Sequence, residues 1–259
     1  MKVVTIVSAK GGVGKTMLAA NLASVIAAAG RRRVAVVDLD PQNGLRLHFG
    51  VPLDASDGLA CAALDEQRWP AEIVDGITVL PFGVVSEADQ RRFERLLDWN
   101  PSWFTQGLAA LGLDDDAIVI VDTPPGTSVY MRAALTAAHF AVMVVLADAA
   151  SYAAIPQMRR MIDEYATPRP DFTGEGYVIN QVDQSRDLGR DVLRVLRDRL
   201  GAERFGGVIH ADEGVAESLA HQTTVNRYDP RSQAAADLNA CGAWLTRAIG
   251  VPGTMRSVA

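Results

Sequence analysis

Cysteine is scarce in this sequence. The chain of 259 residues holds two, Cys61 and Cys241, far apart and without a CxxC pair. That argues against a disulfide framework or a cysteine-built zinc site and suits a reducing cytosol. Long apolar runs are missing as well, since nothing approaches the roughly 20 residues needed to cross a bilayer. The longest run, Ala137 to Ala147, is interrupted by His139 and stops at Asp148, which reads as a buried strand. The N-terminal stretch Val3 to Val7 is too short for a signal peptide and leads into glycines, so the expectation is a cytoplasmic protein. Basic charge is not in excess: 25 Lys and Arg stand against 31 Asp and Glu, a formal charge of -6. Such a chain is a poor bulk nucleic-acid binder. Low-complexity tracts are absent, and 49% hydrophobic residues is too apolar for a disordered chain.

What is present is alternation. Short β-branched runs, at Val3–Val7, Val34–Asp38, Ile77–Leu80, Ala117–Val121, Phe140–Leu146, Gly176–Asn180 and Phe205–Ile209, are separated by helix-length amphipathic or Ala-rich stretches. Strands so uniformly apolar need cover on both faces. The expected fold is α/β, a doubly wound, mostly parallel sheet with helices on both faces, as one domain over residues 1–250. No linker or internal repeat divides it. A last helix is expected over Ser232–Ile249, and residues 251–259 read as a flexible tail.

Directly after the first strand stands Ala9-Lys10-Gly11-Gly12-Val13-Gly14-Lys15-Thr16-Met17, and a helix follows. Strand, glycine loop and helix form the context of a phosphate-binding P-loop. Backbone N–H groups wrap a phosphate, the helix N-terminus adds a favourable dipole, and the glycines allow close approach. Lys15 would reach the β- and γ-phosphates, and the Thr16 hydroxyl would ligate Mg²⁺. At the end of the second strand, Asp38 and Asp40 stand where ligands of doubly wound sheets bind; helix capping is the competing reading of both. Ile118-Val119-Ile120-Val121-Asp122-Thr123-Pro124-Pro125-Gly126 has the form of a Walker B strand, with Asp122 placed to hold Mg²⁺ through water and Gly126 to offer its N–H to the γ-phosphate.

The standard P-loop has glycine where this chain has Ala9. The heptapeptide Lys10–Thr16 instead resembles the deviant Walker A motif of the MinD/ParA ATPases. That resemblance implies a homodimer with ATP sandwiched at its interface, in which Lys10 contacts the phosphates held by the other subunit. It further implies that Asp40 orients the attacking water, that Asp38 holds the magnesium hydration shell, and that Asn180 meets adenine. The loop His210-Ala211-Asp212 should flank the base; family members often have Pro at the position of His210, which leaves the base contacts open. No guanine-reading NKxD sequence stands in the expected place, which favours ATP over GTP. Hydrolysis to ADP and phosphate would be slow and partner-regulated.

Within the family, Asn43-Gly44-Leu45-Arg46-Leu47-His48-Phe49, Leu80-Pro81-Phe82-Gly83 and His210–Ala220 running on to Asn226-Arg227-Tyr228 resemble one branch, the bacterial cellulose biosynthesis proteins BcsQ (YhjQ). The resemblance implies an accessory of the inner-membrane cellulose synthase, working with other cytosolic secretion subunits and recruited through them to the inner membrane, in some cases at the pole. A ParA/MinD-type role in DNA partition or spatial positioning is the alternative. A partition ATPase needs a basic surface, and the dense cluster Arg186, Arg190, Arg194, Arg197, Arg199 and Arg204 is interleaved with Asp187, Asp191, Asp198 and Glu203. A solvated helix with Leu188, Val192, Val195, Leu196 and Leu200 inward explains it, so no strong nucleic-acid binding is expected. The C-terminal Trp244-Leu245-Thr246-Arg247-Ala248-Ile249 has too little basic charge for a membrane-docking helix, so no direct membrane insertion is expected either, and Trp244 reads as an anchor of the last helix.

Overall fold

The computed structural model describes residues 1–30, 32–183, 187–201 and 203–250. The tail 251–259 and Arg186 lie outside the described residues, as do the side chains of Asp187, Leu188, Arg190 and Asp191. In chain order the elements are β1 (Lys2–Val7), α1 (Lys15–Ala28), β2 (Val34–Asp38), a 3₁₀ turn (Leu45–Phe49), α2 (Leu59–Leu64), β3 (Glu72–Val74), β4 (Ile77–Leu80), α3 (Glu87–Trp99), α4 (Trp103–Ala110) and β5 (Ile118–Asp122). They continue with α5 (Val129–Ala137), β6 (Phe140–Leu146), α6 (Ala149–Tyr165), β7 (Gly174–Val182), α7 (Asp187–Leu200), β8 (Phe205–His210), α8 (Glu213–Ala220), α9 (Val225–Tyr228) and α10 (Gln233–Gly250).

The strands form one eight-stranded sheet in the order β3-β4-β2-β5-β1-β6-β7-β8. Among the described residues only β3 runs antiparallel to its neighbour. Because successive side chains on a strand point to opposite faces, each apolar run feeds two cores. Val4, Ile6, Val36 and Ile120 pack with α1 and α10 on one face. Val3, Val37, Val119 and Val121 pack with Phe93 of α3 and Phe104 of α4 on the other. Farther along that second face, Val7, Met143 and Val145 meet Ile155 and Met158 of α6. Trp244 anchors α10 as expected: its ring lies on Phe140, and a Cβ on Gly176 or Gly206 would come within 2.3 or 2.7 Å of it.

Two expectations need correction. The β3 strand is absent from the sequence reading, although Asp75-Gly76, both at positive φ, is a two-residue hairpin signal. On α7, Val195 is 47% exposed, not inward. Leu193 takes its place beside Val192, Leu196 and Leu200, which shifts the buried stripe around the helix. What matters for function is register. The β1–β5 and β2–β5 pairings set Asp122 level with both Ile6 and Asp38, so the carboxyl ends of three parallel strands finish at one height.

Candidate nucleotide-binding site

The loop leaving β1 turns on glycines in the left-handed region, Gly12 at φ +73° and Gly14 at φ +90°, where other residues pay a steric cost. A side chain at Gly14 would also run into β7, its Cβ 2.2 Å from Asn180 Nδ2. The close approach serves the loop: Asn180 Nδ2 donates to the Val13 carbonyl at 2.8 Å and Gln181 Nε2 to the Gly12 carbonyl at 3.2 Å. Lys15 is buried, and its Nζ donates to Ser8 Oγ at 2.9 Å, while Ser8 in turn donates to the Lys10 carbonyl at 2.6 Å. Burial lowers the Lys15 pKa, and Asp122 and Asp40 pull it back up. The ammonium is therefore a desolvated cation whose burial the two carboxylates only partly offset.

Asp122 and Asp40 act on that cation, and Asp38 lies beside both of them. Asp38 accepts the Asp40 N–H at 2.9 Å on one carboxylate oxygen and the Leu45 N–H at 3.0 Å on the other, so it braces the loop after β2. Burial, with Asp122 beside it, raises the Asp38 pKa well above the usual carboxylate range. Asp40 is 9% exposed and accepts the Gln42 N–H at 3.0 Å. Asp122 is fully buried; desolvation pushes its pKa up to about 7, and the Thr16 hydroxyl and Lys15 oppose the shift. Its Oδ1 accepts the Thr123 N–H at 3.1 Å, whereas Oδ2 has no hydrogen-bond partner among the described residues. An orphaned buried carboxylate oxygen beside a threonine hydroxyl and a second buried carboxylate fits a hydrated divalent cation, because such an ion relieves the clustered negative charge. Among the described residues no three His, Cys, Asp or Glu side chains gather as a dedicated metal cage.

A cavity of about 760 Å³ opens above these groups, within the size range of ligand pockets. Of the residues singled out in the sequence, Gly11, Gly12, Gly14, Lys15, Thr16, Met17, Asp40, Asn180, His210, Ala211 and Asp212 line it. Asp38 and Asp122 lie beneath. Lys10 lies outside this lining, with its Nζ 3.3 Å from Asp148 Oδ1. Gly126 is turned away too: its N–H, expected to face a phosphate, donates to the Ser8 carbonyl at 3.0 Å.

At the end of the cavity expected to take the base, the side chains are already engaged within the protein. Asn180 is engaged with the P-loop through Nδ2. His210 is clasped by Asp237 of α10, through its backbone N–H at 2.9 Å and its ring Nδ1 at 2.7 Å. The Asp212 carboxylate caps α8 at the Gly214 N–H, 2.9 Å, and also accepts the Ala234 N–H of α10, 3.0 Å. Sequence reasoning missed Gln42, His48, Pro125, Gln181, Asp183 and the α8 face of Val215, Ala216 and Leu219. For His48 and the α8 face a signal existed, since both fall in the segments that carry the branch resemblance. A second groove of about 800 Å³, between the loop after α2 and helices α3 and α4, is floored by Trp69 and Trp103 and shares no residue with this site.

Residues 1–245 match the protein family described as cellulose biosynthesis protein BcsQ. The cellulose biosynthesis protein BcsQ of Salmonella typhimurium is 26% identical over 257 residues, 94% of each chain. The chromosome-partitioning ATPase Soj of Thermus thermophilus is 29% identical over 235 residues, 90% of each chain. Among solved structures, the septum site-determining protein MinD of Pyrococcus horikoshii, complexed with Mg-ADP, matches with a TM-score of 0.77. That likeness covers 98% of this chain and 99% of that one at 19% identity, and it is one of fold.

Proposed function

The chain belongs to the BcsQ family of cellulose biosynthesis proteins, and on that premise we propose that it is a Mg·ATP-dependent dimerising ATPase that serves as a cytosolic accessory of bacterial cellulose synthesis and secretion. The observation that carries the ATPase reading is the convergence of a glycine loop, the buried Lys15 and Asp40 on one cavity, with the strand-end Asp38 and Asp122 buried beneath it. Phosphoryl transfer asks a protein mainly for positioning and charge neutralisation. Lys15 and the loop amides bind the phosphates. Asp40, at the cavity wall beside Lys15, orients the attacking water. Thr16 and Asp122, with Asp38 bracing the loop, would hold the hydrated Mg²⁺, which neutralises charge developing on the phosphate oxygens.

Lys10 is the residue left over. It points out of its own cavity, and in the proposed switch it meets the phosphates of a second copy across a homodimer interface. Hydrolysis through Asp40 then separates the copies. Among the described residues no helix is long and apolar enough to cross a membrane; we place the protein in the cytosol, reaching the inner-membrane synthase through other cytosolic secretion subunits. The similarity to a chromosome-partitioning ATPase at 29% identity favours a second reading, an ATPase for DNA partition or spatial positioning.

Phosphate release with Mg·ATP tests the enzyme: wild type turns over, and Asp40→Ala falls by at least about tenfold, as loss of a water-orienting group implies. Equal rates would remove Asp40 from the mechanism. In light scattering, Lys10→Ala stays monomeric with ATP while still binding it. In cells, deletion of the gene abolishes cellulose secretion and leaves partition intact; the reverse outcome selects the second reading.

A further inference from the structure

One wall of the cavity plays no part in the phosphate chemistry. His48 stands on the 3₁₀ turn, which packs against α1 on one side and α8 on the other. At the start of the turn a Cβ on Gly44 would meet the Thr16 methyl at 3.7 Å, and just past its end a Cβ on Gly50 would meet the Gln222 carbonyl at 3.5 Å. His48 thus borders the cavity between the phosphate end and the α8 face of Val215, Ala216 and Leu219. The residue is 5% exposed, and its Nδ1 is buried without a hydrogen-bond partner among the described residues. Burial lowers its pKa to about 4, so the ring is neutral at neutral pH. A neutral imidazole offers one N–H and one lone pair. Such a group suits an uncharged hydroxyl better than a phosphate oxygen, and the phosphates already have Lys15 and the loop amides.

We infer that His48 is a specificity-determining contact for the sugar of the bound nucleotide, donating from Nε2 to a ribose hydroxyl. The inference rests on the nucleotide reading above. A ligand held by its phosphates at Lys15 and Thr16 and by its base between Asn180 and residues 210–212 must span the cavity with its pentose, and Met17, His48 and the α8 face line that same cavity. Unpaired buried lone pairs are tolerated more readily than unpaired N–H groups. Nδ1, closed off from the cavity, therefore keeps the lone pair, and the proton sits on Nε2.

The test is equilibrium binding of ATP, 2′-deoxy-ATP and 3′-deoxy-ATP to wild type, His48→Phe and His48→Gln, each variant first shown to be folded by circular dichroism. Wild type prefers ATP over at least one deoxy analogue by about five- to tenfold, the size of one hydrogen bond. His48→Phe fills the space without a donor, binds ATP weaker by the same factor, and binds that analogue as wild type does, so the preference disappears. His48→Gln, whose amide N–H has similar reach, recovers part of it. Equal losses for all three nucleotides would make His48 a packing residue and overturn the inference, as would full discrimination in His48→Phe; both outcomes leave the nucleotide reading standing. A wild type that binds none of the three overturns both.

Discussion

Gly14 sets the tightest constraint on the phosphate loop. Its φ of +90° costs a residue with a side chain about 1–2 kcal/mol, and a Cβ there would lie 2.2 Å from Asn180 Nδ2. The Asn180 amide is in turn the donor that holds the Val13 carbonyl. Gly14→Ala is therefore expected to act twice, straining the turn and evicting the side chain that braces it. Thermal melts with and without ATP check this: Gly14→Ala lowers Tm and abolishes stabilisation by ATP. Adding Asn180→Ala relieves the clash but not the backbone cost, so the double variant recovers some Tm and little binding. Strict additivity of the two substitutions would show that they do not touch. The sequence made Gly14 legible as a loop glycine, because the motif demands it. It could not show that Asn180, 167 residues from Val13, completes the loop; that contact exists only once β1 and β7 have been set on either side of β6.

At the scale of elements, the end of β6 and the start of α6 hold Lys10 of the phosphate loop. Asp148 caps α6, accepting the Ser151 N–H at 2.6 Å, and the same carboxylate oxygen pairs with Lys10 at 3.3 Å. Both side chains are more than one-third exposed, so the pair is worth about 0.2–1 kcal/mol. Asn is also a good helix cap. Asp148→Asn should therefore leave α6 in place and release Lys10 for the second copy's phosphates. Sedimentation or light scattering with ATP should show tighter dimerisation, by about 1.4- to 5-fold for each of the two Lys10 side chains released, the fold-change equal to that energy. An unchanged or weaker dimer would mean that Asp148 does not compete for Lys10. The same scale explains what the sequence reveals of the elements. The parallel core strands are legible because both faces are apolar, and the predicted runs at Val34–Asp38, Ile77–Leu80 and Phe140–Leu146 coincide with β2, β4 and β6. β3 is a three-residue edge strand with Glu72 and Ile73 exposed, so it has no buried face to imprint a pattern. On α7 the sequence does not tell Leu193 from Val195, because both are apolar, and only packing against β7 and β8 chooses Leu193.

For the whole molecule, the site sits at one end of the sheet and a histidine clasp at the other. His139, just before β6, accepts the Val3 N–H on Nδ1 at 3.1 Å, and its own backbone N–H donates to the Val3 carbonyl at 2.8 Å. Its carbonyl receives the Thr173 N–H and hydroxyl at 2.8 and 2.9 Å, and Nε2 lies 3.2 Å from Asp171. One residue thus ties β1 and β6 to the chain entering β7. The Nδ1 lone pair must stay unprotonated for the Val3 bond to survive, and burial lowers the His139 pKa from 6.5 to about 4 against the pull of Asp171. Between those values the unfolded chain binds a proton that the folded one refuses, so this group's contribution to stability is complete above pH 6.5 and declines as pH falls toward 4. A shift of that size corresponds to at most about 3 kcal/mol. Asp122 acts in the opposite direction, since its pKa is raised to about 7, and total stability against pH mixes the two signs. The difference between wild type and His139→Asn isolates the histidine. At pH 7.5 the wild type is the more stable, and denaturant melts should show that margin narrowing steadily from pH 6.5 to 4.5. A margin that stays constant over this range would mean that His139 titrates alike in the folded and unfolded chain, and that the clasp holds β1 without depending on the Nδ1 lone pair.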